Sequence, residues 1–254
     1  MRVSIITVCY NRSNTIEKAI LSVLNQDYLD VEYIVIDGNS TDGTQAVIEK
    51  YTNRIAQYIS EPDKGMYDAI NKGLALATGD IVGLMHSDDE FYDRLAVSKI
   101  VQEFDTSEEI ACVYGDGIYV SNDAEERLIR NRIGGEFNRL KIEKGWLPLH
   151  PTVYLKREII EKYGCYNLQF KIASDTEFLL RYLYLNQIHV KYLNSYLVKM
   201  RMGGMSTSYK KAFQVLMEDY KIYKFFGLNA FLVVIKKKIL ALKQYVRLVS
   251  FIEK

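Results

Sequence analysis

Apolar and polar positions alternate in two ways over the first 115 residues. Short runs rich in valine and isoleucine predict buried β-strands at residues 3–8, 31–36, 55–59, 81–85 and 110–114. Between these runs, apolar residues spaced by three or four positions predict helices that start near Asn14 and cover residues 44–51, 66–77 and 93–104. Strands that alternate with helices predict an α/β fold with a mostly parallel central sheet flanked by helices.

The second half of the chain is less regular. Residues 120–148 are charged, polar and glycine-containing, which predicts loops that cover the sheet. Apolar residues at 151–155 predict another strand, and helical spacing predicts a helix over 174–184. The buried face of that helix is predicted to carry Phe178, Leu179, Tyr182 and Leu183.

Two pairs of residues have the spacing of a capping box. In this motif the side chain at the helix start and the acid three residues later each accept a hydrogen bond from a backbone N–H group. The pairs are Asn14 with Glu17, and Ser174 with Glu177. If Ser174 and Glu177 form a capping box, Asp175 merely occupies the first turn of a helix. The alternative is that Asp175 is a general base, which must reach the proton that it takes.

The C-terminal segment is basic and has helical periodicity. Residues 209–254 carry a net charge of +7, against −6 for the rest of the chain, which indicates contact with an anionic surface. One helical stripe is formed by Leu228, Phe231, Ile235, Ile239, Leu242, Val246 and Val249. This helix either docks on the body or on a partner subunit, as in a homo-oligomer, or lies on anionic lipid through residues 225–254.

Composition excludes several classes of protein. The chain is 48% hydrophobic and 26% charged, as folded globular proteins are, and its longest uncharged apolar stretch, residues 225–235, is too short to span a bilayer. Its start lacks the features of a signal peptide, so we expect a cytoplasmic location. The body has no basic face, which argues against a nucleic-acid partner.

Several enzyme motifs are missing from the sequence. The three cysteines are far apart and form no C-x-x-C pair, and no Walker A or G-x-S-x-G motif occurs. The histidines at positions 86, 150 and 189 are too scattered for a zinc pattern. His150 is therefore either a ligand contact or a structural histidine.

Polar residues follow three of the predicted strands. Tyr10 and Asn11 follow the first, Asp37 ends the second, and Asp88 and Asp89 follow the fourth. Ligands of parallel sheets bind beyond the carboxyl ends of the strands, so we expect these residues to meet. Adjacent carboxylates are typical ligands of Mg²⁺ or Mn²⁺, although aspartates are also common in solvated turns.

Two further positions have alternative interpretations. Asp37 either contacts a nucleotide or caps the turn that follows it. Lys64, between Asp63 and a glycine before a predicted helix, either reaches a phosphate or belongs to a charged surface turn.

Four ordered segments resemble the family 2 glycosyltransferases of GT-A fold, of the kind that build bacterial surface polysaccharides. They are VSIITVCYNR at residues 3–12, IVIDGNSTDGT at 34–44, EPDKGMYDAINKG at 61–73, and the segment from Gly79-Asp80 to Ser87-Asp88-Asp89. The resemblance covers about residues 1–205, which implies a glycosyltransferase domain over 1–205 and a basic amphipathic helical tail over 206–254.

The resemblance also implies roles for single residues. Those expected to bind the nucleotide sugar are Tyr10, Asn11, Asp37, Asp63, Lys64, Asp68, Asn71 and Asp88. Asp89, with Asp88 beside it, matches the ligands of Mn²⁺ or Mg²⁺, and Asp175 matches the base. Trp146 and His150 fall where the acceptor side is expected.

The sequence departs from the family pattern at two positions. Ser87 stands where the D-x-D metal motif has its first carboxylate, and Gly38 stands where many members have a second acid. The first departure leaves metal binding to fewer carboxylates. The second leaves the base and sugar preference open.

The implied activity is inverting transfer from a nucleotide-diphosphate sugar, most simply a UDP-sugar, to a glycan or polyprenyl-diphosphate-linked acceptor. Such transfer serves O-antigen, capsule or exopolysaccharide synthesis, at the inner face of the cytoplasmic membrane if the tail binds lipid. One alternative is a sugar nucleotidyltransferase, which would need a glycine-rich loop after the first strand. Another is a nucleotide- or glycan-binding module without activity. An NAD-dependent enzyme is disfavoured because no G-x-G-x-x-G motif is present.

Overall fold

The computed structural model describes residues 1–122, 126–202 and 209–252, and the side chains of 209–212 and 243–252 lie outside that description. The first half contains β1 (Val3–Cys9), α1 (Ile16–Leu24), β2 (Val31–Asp37), α2 (Thr44–Glu49), β3 (Gln57–Ser60), α3 (Met66–Leu76) and β4 (Ile81–Leu84). The four strands are parallel, in the order β3-β2-β1-β4. The central strands β1 and β4 are buried along their whole length because helices cover both faces.

The second half continues the same sheet. Its elements are β5 (Glu90–Phe91), α4 (Ala96–Asp105), β6 (Cys112–Val120), β7 (Leu128–Arg132), α5 (Arg139–Ile142), β8 (Tyr154–Lys156), α6 (Arg157–Tyr163), α7 (Ser174–Leu179), β9 (Val190–Arg201), α8 (Tyr209–Phe225) and α9 (Ala230–Ile252). A 3-10 turn covers His150–Thr152, and a π-helical turn, Leu180–Leu185, continues α7.

The sheet is extended beyond β4 by strands that come late in the chain. β8 is antiparallel to both β4 and β6, whereas β6 is parallel to β9, and the full order is β3-β2-β1-β4-β8-β6-β9-β5 with β7 on β6. One apolar cluster lies on each face of the sheet. The first half and its mostly parallel sheet confirm the predicted α/β architecture.

Three expectations about local structure are wrong. The region 120–148 contains β7 and α5 rather than loops alone, because β7 is a half-exposed edge strand whose charged residues hide its periodicity. Neither predicted capping box forms. The N-cap of α1 is Thr15, without a side-chain cap, and Ser174 donates its hydroxyl hydrogen bond to the Asn167 carbonyl instead.

The hairpin of α8 and α9 packs on the body, but not through the predicted stripe. Ile222, Tyr223, Ala230 and Val233 are buried. Of the stripe, Leu228 packs against the core, whereas these four are exposed: Phe231, Ile235, Ile239 and Leu242. The side chains of the other two stripe positions, 246 and 249, lie outside the description, and the expected domain boundary at 205/206 falls outside the described residues.

Gly145 shows how closely α9 approaches the body. Its φ is +83°, and a Cβ there would lie 2.7 Å from the Val233 carbonyl oxygen and from the Lys237 backbone nitrogen. Only glycine allows this contact without strain. Within the described part of the chain, no helix combines the length and the apolarity needed to cross a bilayer.

Candidate active site

The loops after β1 and β2 are interlocked by hydrogen bonds. The Asn11 backbone N–H donates to Ser40 Oγ at 2.8 Å, and Asn11 Oδ1 accepts from the Thr41 N–H at 2.9 Å. Asn11 has a φ of +52°, a left-handed conformation that asparagine tolerates better than most residues. Asn11 therefore shapes this edge of the sheet as well as lying on it.

Asp37 is fully buried at the base of these loops. Its carboxylate accepts hydrogen bonds from the Ser40 N–H at 3.0 Å and from the hydroxyl groups of Ser40 and Ser60. Asp37 thus caps its own turn, which is one of the two interpretations of this residue. Its predicted contact with a nucleotide stays a prediction.

Gly38 lies close to the side chains of Tyr10 and Asp63. The Tyr10 ring is 59% exposed. A Cβ at Gly38 would lie 2.4 Å from Asp63 Oδ2 and 3.3 Å from the Tyr10 ring. The Asp63 carboxylate therefore occupies the place that a side chain at position 38 would take.

The start of α3 is organised by carboxylates. Asp63 Oδ1 accepts from the Gly65 N–H at 2.8 Å, and Asp68 Oδ2 accepts from the Lys64 N–H at 3.0 Å. Lys64 itself is exposed, so its ammonium group is available to a ligand. Asn71 instead binds both backbone polar groups of Tyr166, at 2.9 Å each, and so ties α3 to the segment before α7.

Asp88 and Asp89 follow β4. Asp89 is 3% exposed, and its Oδ2 has no hydrogen-bond partner among the described residues. Burial, and after it the charge of Asp88, raise the pKa of Asp89 well above its ordinary value. A buried carboxylate with one unpartnered oxygen, beside a second carboxylate, fits a divalent cation, which would supply positive charge at that oxygen.

The described residues hold no cluster of three or more protein ligands for a metal. This agrees with the loss of the first carboxylate at Ser87. It also fits Mg²⁺ and Mn²⁺ sites in which one or two carboxylates bind the ion together with substrate phosphates.

Asp175 lies in the first turn of α7, half-buried. Its Oδ1 accepts from the Thr176 N–H at 2.8 Å and lies 3.3 Å from the Tyr67 hydroxyl, which also donates to the Ile172 carbonyl at 2.8 Å. Burial lowers the pKa of His86, and the nearby charges of Asp88 and Asp175 oppose that effect. His86 is therefore within electrostatic range of both carboxylates.

His150 stacks beside His86, with ring centroids 6.0 Å apart, and its Nε2 lies 2.6 Å from the Tyr166 hydroxyl. Burial, with a smaller contribution from His86, lowers the pKa of His150 to about 3, so its ring is neutral at physiological pH. Trp146 contacts a different group, the rings of Tyr114 and Phe137 and the Lys141 ammonium. The acceptor roles of His150 and Trp146 stay predictions.

Sequence reasoning missed Tyr67, Tyr166 and His86 as parts of this site. Tyr67 lies inside the segment 61–73, where its charged neighbours carry the stronger signal. His86 directly precedes Ser87-Asp88-Asp89, and its spacing from the other histidines argues only against a zinc site. Tyr166 reaches Asn71 over 95 residues of sequence, and no local signal marks such a contact.

Replacing Gly38 with alanine is expected to weaken binding of the nucleotide sugar by roughly tenfold, the value of one charge-assisted hydrogen bond. The new methyl group would displace the Asp63 carboxylate, which can move because it ends a flexible side chain. The melting temperature should change little. Titration of the donor into the Gly38→Ala and Asp63→Ala variants measures the effect.

The double variant is the control. If Gly38→Ala acts through Asp63, the two changes together weaken binding no more than one alone. Additive losses, or full affinity of Gly38→Ala, would contradict this account.

The glycosyl transferase family 2 model matches residues 4–164. Because this is more than half of the chain, the protein belongs to glycosyl transferase family 2. An uncharacterised glycosyltransferase of Mycobacterium tuberculosis is 32% identical over 185 residues, which are 70% of this chain and 68% of that protein. The match to the family ends before Asp175, α8 and α9.

Solved structures share the fold. A fragment of S. aureus TarS in complex with UDP-GlcNAc has a TM-score of 0.71 at 21% identity, over 87% of this chain and 65% of that one. The glucosyl-3-phosphoglycerate synthase of Mycobacterium tuberculosis, in complex with Mn²⁺, UDP and phosphoglyceric acid, has a TM-score of 0.63 at 20% identity, over 89% of this chain and 79% of that one. The chain therefore has the GT-A fold and spans about two thirds of that TarS fragment.

Proposed function

We propose that this glycosyltransferase is inverting and metal-dependent. It would move a sugar from a nucleoside-diphosphate donor, a UDP-sugar by preference, to a glycan or polyprenyl-diphosphate-linked acceptor in cell-surface polysaccharide synthesis. The observation that carries the proposal is that His86, which follows β4, lies within electrostatic range of both Asp88 and Asp175. Asp89, next to Asp88, is buried with its Oδ2 unpartnered among the described residues, and Asp175 is half-buried with its Oδ1 3.3 Å from the Tyr67 hydroxyl.

The donor is expected at the carboxyl ends of β1 and β2. The exposed Tyr10 ring offers a face on which a base can stack, and the Asp63 carboxylate beside it accepts hydrogen bonds from base or ribose. Lys64 supplies a cation for the diphosphate. UDP-GlcNAc and UDP are bound by the two solved relatives above, which supports a uridine donor here.

Asp89, with Asp88, would hold the divalent ion. When bound, Mn²⁺ or Mg²⁺ supplies positive charge that stabilises the departing diphosphate. The Mn²⁺ in the glucosyl-3-phosphoglycerate synthase structure supports this choice of metal.

Asp175 would accept the proton of the acceptor hydroxyl. The acceptor oxygen then forms a bond to the anomeric carbon from the face opposite the nucleotide. The bond between that carbon and the diphosphate oxygen breaks, and the nucleoside diphosphate leaves with the electron pair. Tyr67, bonded to both Ile172 and Asp175, keeps the carboxylate oriented towards this reaction.

Thermal unfolding with UDP, GDP, dTDP or NAD, each with Mn²⁺ or with EDTA, tests the proposal. A ligand that binds only the folded state raises the melting temperature. We expect a Mn²⁺-dependent rise with one nucleoside diphosphate, followed by turnover of sugars on that nucleotide. A rise without turnover would favour a binding module, and no rise with any diphosphate would count against the donor site.

The tail is proposed to contact an anionic membrane surface. The exposed face of α9 carries Phe231, Ile235, Ile239 and Leu242, and exposed Lys236 and Lys238 flank it. Apolar side chains with lysines beside them are the pattern of helices that lie in a lipid interface. A lipid-linked acceptor would be reached from this position.

The variant Phe231→Ser/Ile235→Ser is expected to lower partition onto anionic vesicles by roughly tenfold or more, because each lost side chain removes over 1 kcal/mol of apolar burial. Flotation of the full chain with vesicles of phosphatidylglycerol and phosphatidylcholine measures it. Deleting the helix is a poorer test, since Val233 and Lys237 on its other face contact the body.

Leu29→Ser is the matched control, since Leu29 is an apolar residue that is 97% exposed and is distant from α9 in sequence. It should float like the wild type. Equal flotation of the tail variant and the control would contradict the membrane role.

A further inference from the structure

We propose that the hairpin of α8 and α9 sets the position of Asp175, with Glu218 and Lys237 as positioning residues. This inference rests on the proposed function, in which Asp175 is the base. It assigns a part in the reaction to a segment that the family model does not reach.

Glu218 of α8 holds the backbone that leads into α7. Its Oε2 accepts from the N–H groups of Ile172 and Ala173, both at 2.9 Å, and its Oε1 accepts from the N–H of Lys171 at 3.3 Å. Hydrogen bonds to a charged acceptor are about twice as strong as neutral ones. One carboxylate thus fixes three successive peptide groups, the last of them two residues before Asp175.

Lys237 of α9 holds the residue on the other side of Asp175. Its ammonium group donates to Thr176 Oγ1 at 3.3 Å and to both oxygens of Asp219, at 2.9 and 2.8 Å. Asp219 is 1% exposed, so it needs this cation as its partner. The pair therefore ties Thr176 to both helices of the hairpin.

The hairpin itself is anchored. The backbone of α9 passes directly over Gly145, where even a Cβ would collide with it, and Val233 is buried one turn before Lys237. Tyr67 holds the same segment from the opposite side through the Ile172 carbonyl and Asp175 Oδ1. Residues 171–176 are thus fixed between α3, on the donor side, and the α8–α9 hairpin.

These contacts matter for the reaction because a general base works only within hydrogen-bond reach of its proton. A displacement of about 1 Å can cost on the order of 100-fold in rate. We therefore expect Lys237→Met and Glu218→Ala to lower kcat by roughly 10–100-fold, with the KM for the donor within about threefold of the wild type. Lys237→Arg retains the cation and should recover most of the activity.

Lys99→Met is the matched control. Lys99 binds the Asp93 carboxylate at 2.7 Å and the Ser195 hydroxyl at 3.4 Å, and its side chain is 30% exposed, against 32% for Lys237. Like Lys237, Lys99 therefore contacts one carboxylate and one hydroxyl group, but it lies on α4 and neither of these groups belongs to α7. Its kcat and KM should equal those of the wild type.

The experiment measures nucleoside diphosphate released by the full chain from a panel of UDP- and GDP-sugars with glycan acceptors. Hydrogen exchange of the peptide covering 171–176 is followed in parallel and should speed up in Glu218→Ala. If that variant does not fold, Glu218→Gln, which loses one acceptor oxygen and the charge, takes its place with the same expectation.

Near wild-type kcat in Lys237→Met and in the Glu218 variant, with Asp175→Asn inactive, would overturn the positioning role and leave the proposed function standing. A loss of kcat in Lys99→Met as large as in Lys237→Met would also overturn the positioning role. It would show that removing any such ion pair lowers activity. Full turnover by Asp175→Asn would instead reject the base, and with it this inference.

Discussion

The Asp175→Asn variant is expected to lose kcat by roughly 10²–10⁴-fold, the usual contribution of a general base. The amide cannot accept the proton of the acceptor hydroxyl, whereas its oxygen can still accept the hydrogen bonds from Thr176 and Tyr67. The fold and the donor site should therefore be retained. Steady-state turnover and nucleoside-diphosphate binding, measured on the same preparation, separate the two effects.

Asp93→Asn is the matched control for this prediction. Asp93 lies two residues before the N-cap of α4 and, like Asp175, accepts a backbone N–H, that of Leu95 at 2.8 Å. Its amide variant should keep full turnover. An Asp175→Asn enzyme with wild-type kcat, or one that has lost nucleotide binding as well, would contradict the assignment of the base.

The Asp89→Asn variant is expected to lose turnover by roughly 10²–10³-fold, which corresponds to several kcal/mol of charge stabilisation from a metal ion. It should also lose the Mn²⁺-dependent thermal shift with nucleoside diphosphate, a readout that needs no turnover. In EDTA the variant should melt at the same temperature as the wild type or higher. The reason is that it removes a buried carboxylate whose Oδ2 has no partner among the described residues.

Asp88→Asn provides the comparison. Asp88 is half-buried and in contact with solvent, so its loss should weaken Mn²⁺ binding less than the loss of Asp89 does. A retained Mn²⁺ shift in Asp89→Asn, or a larger loss in Asp88→Asn, would show that Asp89 is not the chief ligand.

Helix α9 of the α8–α9 hairpin is proposed to have two roles, one on each face. Its exposed face carries the apolar stripe proposed to meet lipid, and its buried face carries Lys237, proposed to hold the residue beside the base. The sequence predicted the stripe from its spacing but could not show which way it faces. Both faces of α9 contain apolar residues, so periodicity alone does not choose between them.

Much of the site could be predicted because its residues follow strands directly. Short runs rich in valine and isoleucine locate β1, β2 and β4 within a few residues, and the chain then has to place Asn11, Asp37 and Asp89 at one edge of a parallel sheet. These are consequences of local structure. They need no knowledge of which distant segments pair.

Only the tertiary structure decided the rest, because those features depend on contacts between distant segments. The insertion of β8 beside β4, the Asp63 carboxylate in the space of a residue-38 side chain, and the bonds of Asn71 to Tyr166 each join parts of the chain that no pattern relates. The same holds for Glu218 and Lys237 at α7. In the first half of the chain the sequence alone determined which strands and helices form and which polar residues follow the strands, and the packing of all the elements determined which side chains are left free to act.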